Sequence, residues 1–121
     1  MKTNKLTGAA LDWAVAKCEG KEKTWGKSSF IPYNYHMGYR YSTDWSQGGP
    51  IIDRKRICID QPDDLRVRST CQAFIRICIT GQSRRPHYVM DGPTPLIAAM
   101  RCYVASKLGD EAEVPEELLR T

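Results

Sequence analysis

Residues 94–109 predict a helix that is apolar almost all round, and this helix limits the folds open to the chain. Thr94 can cap the helix, Pro95 suits the first helical position, and Gly109 ends it. Within it, the apolar run is interrupted only by Arg101, Ser106 and Lys107. Such a helix needs cover on more than one side. We expect an earlier helix to supply part of that cover and a second subunit to supply the rest, which predicts a homo-oligomer.

The earlier helix is predicted near the N-terminus. Thr7 can cap a helix that runs to about Lys17, and Gly20 lies just beyond its end. Its apolar residues recur at helical spacing, as in a helix that packs on a sheet. At the other end of the chain, Pro115–Leu119 predicts a last short helical turn.

Strands are predicted in the middle of the chain. Cys71–Thr80 is the strongest candidate, because its alternation places Ala73 and Ile75 with Cys71 on one apolar face. Shorter candidates are Ser29–Ile31, Arg56–Asp60, Leu65–Arg68 and, as an edge strand, His87–Met90. The chain has no repeats and no linker, so residues 1–121 are expected to form one α+β domain. In it, a small antiparallel sheet of about three strands packs against an N-terminal and a C-terminal helix.

Residues 20–50 combine loop-forming residues with aromatic side chains. Seven of the eleven aromatic residues lie here, among several glycines and prolines. This mixture predicts an ordered but irregular segment, with a turn at Gly48-Gly49-Pro50. We expect a binding surface in this part of the chain.

Composition excludes several classes of protein. No stretch approaches the ~18 consecutive apolar residues of a membrane span, and residues 1–6 lack the apolar region of a secretory signal. The five cysteines are odd in number and include no closely spaced pair of the kind that binds zinc. We therefore expect a cytoplasmic protein with reduced, mostly buried thiols and no bound metal or cofactor.

The charges are distributed unevenly. Residues 1–109 hold 17 Lys and Arg against 9 Asp and Glu, whereas residues 110–121 hold five acidic residues and Arg120. A basic body with an acidic end favours an anionic partner, or a tail that docks on a basic surface, although a solvated surface of mixed charges explains it equally well.

Three segments resemble the NinX family of lambdoid phages and prophages. They are Leu6–Ala16 (LTGAALDWAVA), Tyr41–Asp53 (YSTDWSQGGPIID) and Gly92–Gly109 (GPTPLIAAMRCYVASKLG). The resemblance implies a single NinX-like domain and a phage accessory protein made in the bacterial cytoplasm. It implies no activity and no catalytic residue. Residues 21–40 and 61–90 do not share the family pattern.

The residues offer little support for catalysis. His36 and His87 are the only histidines, and a pair of Cys102 with His87 lacks a third residue to orient it. Asp44 and Asp53 flank the Gly-Gly-Pro segment and suit a metal or a general base, but Asp44 is more simply a turn or cap residue. The chain also lacks a phosphate-binding glycine motif and a nucleophile elbow. We do not expect an enzyme.

A binding role fits the residues better, with a nucleotide-like anion as the ligand. Hydroxyls, an amide, an indole and glycines can surround a ligand, tyrosines can stack on a base, and arginines can bind phosphates. The predicted ligand-binding residues are Tyr33, Tyr35, Arg40, Tyr41, Ser42, Thr43, Asp44, Trp45, Gln47, Gly48, Gly49, Arg54 and Arg56. By sequestering such a ligand, a phage protein would counter host defence signalling. The structural alternative is that Trp45 and Ile51-Ile52 anchor a loop while the tyrosines pack in the core.

Two other functions stay open. The first is nucleic-acid binding, since arginines and a lysine lie on or beside the strands: Arg54, Lys55, Arg56, Arg66, Arg68, Arg76, Arg84 and Arg85. The helix–strands–helix order is also that of double-stranded-RNA-binding domains, which is an analogy of fold only. The second is inhibition of a host protein through the aromatic segment.

Overall fold

The fold is an α+β arrangement of three helices and a three-stranded antiparallel sheet. The computed structural model describes residues 2–20, 40–60, 70–77 and 85–114. After a short 3-10 turn at Thr3–Lys5, the elements are α1 (Gly8–Cys18), α2 (Trp45–Lys55), β1 (Ile57–Asp60), β2 (Cys71–Ile77), β3 (Arg85–Gly92) and α3 (Pro95–Leu108). The predicted α+β class is confirmed. The segments Ser29–Ile31, Leu65–Arg68 and Pro115–Leu119 lie outside the described residues.

The sheet has the strand order β1-β2-β3, so β3 lies at an edge of the described sheet, as predicted for His87–Met90. In β2, Cys71 and Ala73 are buried, which confirms the predicted apolar face. The register changes along β3, because Ala73 pairs with Met90 whereas Ile75 pairs with His87. Two residues of β3 therefore stand opposite one residue of β2, which is a β-bulge.

Helix α3 lies at the centre of the domain. It begins as predicted, with the Thr94 hydroxyl accepting a hydrogen bond from the Ile97 amide at 3.1 Å. It contacts α1, α2 and all three strands, and its buried residues are Leu96, Ala98, Ala99, Met100, Cys102, Tyr103, Val104 and Ala105. The cover that this helix needs therefore comes from its own chain. A second subunit is not required for it, so the homo-oligomer stays a prediction without that support.

Helix α2 corrects the prediction of an irregular segment, because Gly48-Gly49-Pro50 lies inside it and forms no turn. Pro50 removes the amide that would bond to the carbonyl four residues earlier. A residue before proline normally avoids the helical region because its Cβ clashes with the proline ring. Gly49 has no Cβ, which relieves that clash.

Gly48 makes a close approach between α2 and α3. A Cβ at this position would lie 2.6 Å from Leu96 Cδ1 and 2.6 Å from the Tyr41 carbonyl oxygen. The same helix buries Ile51 against the core, where it is 1% exposed. Both glycines of the segment therefore have structural roles within a helix. These roles explain why glycine occurs at the two positions without a ligand.

We expect Gly48→Ala to destabilise the domain by about 1–3 kcal/mol, the usual cost of overpacking, since one clashing atom belongs to the backbone and cannot move easily. Gly49→Ala is the matched control. It meets nothing within 4 Å, and its gain in helix propensity opposes the strain before proline, so its effect stays within about 1 kcal/mol. Denaturant unfolding measures both free energies. Equal losses in the two variants would contradict the close packing of α2 on α3.

Candidate functional site

The N-terminal end of α2 is closed by its own carboxylate. Asp44 caps the helix by accepting hydrogen bonds from the Ser46 amide at 2.9 Å and the Ser46 hydroxyl at 2.6 Å. These bonds lower the pKa of the Asp44 carboxyl, so it is ionised at neutral pH. The negative charge lies where the helix dipole favours an anion. An anionic ligand at this end would have to displace Asp44 or be repelled by it.

The turn before α2 is tied to the same end of the helix. Gln47 Oε1 accepts a hydrogen bond from the Arg40 amide at 2.8 Å, and the Arg40 carbonyl accepts from the amides of Thr43 and Asp44 at 3.1 and 2.7 Å. Arg40 and Thr43 are exposed, and Trp45 is 52% exposed. This end of α2 therefore presents one aromatic and one basic side chain around an internally bonded cap.

Three predicted site residues belong to the core. Tyr41 is 5% exposed and Ser42 is 1% exposed, and Gly48 is buried against α3. The Ser42 amide donates to Asp12 Oδ1 of α1 at 2.8 Å, and burial raises the pKa of Asp12 against the opposing effect of Ser42. A buried Tyr41 cannot stack on a base, so the structural alternative is correct for this tyrosine.

The C-terminal end of α2 opens into a cleft. Its volume is about 520 Å³, and its lining residues are Ile52, Asp53, Arg54, Arg56 and Ile57. Arg56 ends the helix in the left-handed conformation, with φ of 54° and ψ of 48°, and its side chain is exposed. Two arginines, one aspartate and two isoleucines thus line one open volume.

Arg54 is held at the cleft by Glu19, which directly follows α1 and is itself bonded to Tyr103 of α3. Its Nη2 lies 2.6 Å from Glu19 Oε2, and the same oxygen accepts a hydrogen bond from the Tyr103 hydroxyl at 2.5 Å. The Arg54 side chain is 52% exposed, whereas that of Glu19 is 15% exposed. The guanidinium is therefore anchored from inside the domain and open to solvent.

The predicted site residues do not form one pocket. Asp44 and Arg54 are ten residues apart along the chain, which corresponds to about 15 Å along a helix axis. Arg40, Thr43, Asp44, Trp45 and Gln47 lie towards one end of α2, while Arg54 and Arg56 lie at the other. Gly49 lies between them and is half-buried. Tyr33 and Tyr35 lie outside the described residues.

The comparison with protein families decides the relationship of the chain. The family model described as "Bacteriophage P22, NinX" matches residues 2–107. The chain belongs to the NinX family. It is therefore a phage accessory protein, as the resemblance implied. No curated protein matches the chain.

Burial makes one potentially reactive side chain of this NinX family protein, the Cys102 thiol, unreactive at neutral pH. Burial raises the pKa of the Cys102 thiol to about 12, so it is not a nucleophile at neutral pH. Cys18, Cys58, Cys71 and Cys102 are not in disulfide bonds, and Cys78 lies outside the described residues. Within the described residues there is no cluster of three His, Cys, Asp or Glu able to hold a metal ion. No helix among them is long and apolar enough to cross a membrane.

Several residues of the cleft were missed by sequence reasoning. Ile52 and Ile57 flank the predicted arginines but were not predicted to bind a ligand, and Asp53 was considered only as a metal ligand or general base. Glu19 and Tyr103 lie 35 and 49 positions from Arg54 in sequence. No local pattern connects residues so far apart, so their convergence needed the fold.

We expect Asp44→Ala to lower the melting temperature, because the Ser46 amide loses its acceptor, whereas Asp44→Asn keeps a good cap. The lowered pKa gives the direction of the pH effect. Stability from Asp44 is present above its unfolded pKa and is lost as pH falls through its folded pKa. Thermal unfolding between pH 7 and pH 2 measures this pH-dependent contribution. Asp44→Asn lacks the pH dependence because its amide does not titrate. An unchanged melting temperature in Asp44→Ala would contradict the capping role.

Proposed function

We propose that this NinX family protein acts by binding and sequestering a small anionic, nucleotide-like ligand in the cleft at the C-terminal end of α2. The observation that carries the proposal is that Arg54 and Arg56 line one open cleft together with Ile52, Asp53 and Ile57. Its volume of about 520 Å³ falls within the range of small-molecule sites. Withdrawing such a ligand from host defence signalling would suit a phage accessory protein.

The chemistry of the cleft supports an anion with an apolar or aromatic part. Guanidinium groups bind phosphate oxygens through two parallel hydrogen bonds. Ile52, which is half-buried, offers apolar surface for a base, and Asp53 offers an acceptor for a sugar hydroxyl or a base amine. Arg56 is exposed at the end of α2, where its charge can meet a ligand in the cleft.

The strand register adds further basic positions near the cleft. Ile57 pairs with Ile75, so the backbones of Arg56 and Arg76 are neighbours just beyond this pair. Ile77 in turn pairs with Arg85 on β3. By backbone position, three arginines thus occur at one end of the sheet: Arg56 and Arg76 on adjacent segments, and Arg85 one register position further along on β3. This arrangement supports an anionic partner.

We propose binding without turnover. The cleft-lining residues that the structure describes include one carboxylate and no histidine or cysteine. The pairing of a nucleophile with a base, which covalent catalysis needs, is therefore not found among them. A ligand held there would be kept from its receptor and returned unchanged.

Nucleic acid is the second candidate, because Arg54-Lys55-Arg56 forms a contiguous basic run and β2 and β3 add arginines at the same end of the sheet. The two candidates differ in their salt dependence. A nucleic acid that touches many phosphates gives a slope of about −0.9 per contact in log K against log salt. A nucleotide that touches one or two arginines gives a shallow slope.

Titration calorimetry with inorganic pyrophosphate, AMP, ADP and a cyclic dinucleotide tests the proposal. We expect at least one of these to bind, and Arg56→Ala to weaken that binding about tenfold or more because a charge-assisted hydrogen bond is lost. Lys5→Ala is the matched control, since it removes one exposed positive charge from the 3-10 turn, which contacts α3 and β3. We expect it to have no more than a twofold effect.

Two results would contradict the small-ligand proposal. One is the absence of binding by all four compounds. The other is equal weakening by Arg56→Ala and Lys5→Ala, which would show that general positive charge matters and not the cleft. Binding only to polynucleotides, with a steep salt slope, would favour the second candidate.

A further inference from the structure

Glu19 occupies a junction between three helices. It follows α1 directly, Arg54 belongs to the last turn of α2, and Tyr103 belongs to the middle of α3. A single oxygen, Glu19 Oε2, meets both Arg54 Nη2 and the Tyr103 hydroxyl. One carboxylate therefore connects the buried centre of the domain to the cleft.

The inner half of this junction is rigid. Tyr103 is 1% exposed within the central helix, and burial together with the bond to Glu19 raises the pKa of its hydroxyl. The hydroxyl is therefore a protonated donor at every physiological pH. Because its ring is fixed by packing, it holds the Glu19 carboxylate in one orientation.

The outer half is Arg54, whose side chain is 52% exposed. An arginine that is half exposed has many accessible rotamers, and fixing it costs conformational entropy when a ligand binds. The bond to Glu19 restricts Arg54 before any ligand arrives. Since a guanidinium carries five N–H donors and Glu19 is reached through Nη2, donors remain for a ligand.

We infer that Glu19, held by the Tyr103 hydroxyl, is a positioning residue that orders the Arg54 guanidinium at the cleft for binding of a phosphate group. This inference rests on the proposed function. It assigns a role in anion binding to an acidic residue, which simple charge counting would treat as a competitor of the ligand. The two roles predict opposite effects when the carboxylate is removed.

Two substitutions of Glu19 separate these roles. Glu19→Gln removes the charge but keeps an oxygen that accepts from Arg54, so pyrophosphate affinity stays within about twofold of the original or rises. Glu19→Ala removes the acceptor as well, and we expect affinity for pyrophosphate to fall about fivefold. Glu113→Ala, which removes an exposed carboxylate beyond α3, is the control for net charge alone.

A double-mutant cycle tests whether the effect passes through Arg54. In an Arg54→Ala background, Glu19→Ala has no guanidinium to release, so its effect on pyrophosphate affinity disappears. A general loss of folding would persist in that background. Glu19→Ala leaves the buried Tyr103 hydroxyl without an acceptor, and combining it with Tyr103→Phe removes that unpaired donor as a source of instability. Thermal unfolding verifies that each variant is folded.

A second readout does not depend on a ligand. Nitrogen-15 relaxation of the Arg54 Nε–H group reports how ordered the guanidinium is. We expect this order to fall in Glu19→Ala and to be retained in Glu19→Gln. Pyrophosphate binding by Glu19→Ala as tight as, or tighter than, that of the original protein would overturn the positioning role alone. Failure of the original protein to bind pyrophosphate, AMP, ADP or the cyclic dinucleotide would overturn the proposed function itself, and the positioning role with it.

Discussion

The burial of α3 determines where the other described elements lie. Because this helix is apolar on nearly every side, α1, α2 and the sheet must all pack against it. Close approaches make this possible, at Gly48 against Leu96 and at Gly92 against Ala98. The one arginine of the helix, Arg101, also serves this packing, since it donates to the backbone carbonyls of Leu6 and Asp91 at 2.7 Å each.

The candidate site follows from the same packing. Tyr103 projects from α3 to Glu19, and Glu19 in turn holds Arg54 at the mouth of the cleft. At the opposite end of α2, the ionised Asp44 occupies the position that a helix N-terminus would otherwise offer to an anion. At the C-terminal end the helix dipole disfavours an anion, so in the proposed site the side-chain cations Arg54 and Arg56, and not the helix backbone, would have to bind it.

The parts of the fold that could be predicted from the sequence are those with local signals. Thr94-Pro95 indicated the start of α3 and alternation indicated β2, whereas Thr7 precedes α1 as predicted but its side chain makes no capping hydrogen bond. Helix α2 was missed because Gly-Gly-Pro is typical of a turn, and only packing against Leu96 and the cap at Asp44 outweigh that preference. Arg54 and Arg56 were predicted from charge, but Tyr41, Ser42 and Gly48 were not recognisable as core residues before their contacts were known.

The most direct test of the account is native mass spectrometry of the protein purified from phage-infected bacteria, beside the variant with both Arg54→Ala and Arg56→Ala. We expect the original protein to carry a few hundred daltons of extra mass, on the scale of a nucleotide, that is released on denaturation and is absent from the variant. The adduct would then identify the ligand. An equal adduct on both proteins would contradict the assignment of the cleft, and a ligand-free original protein would contradict sequestration during infection.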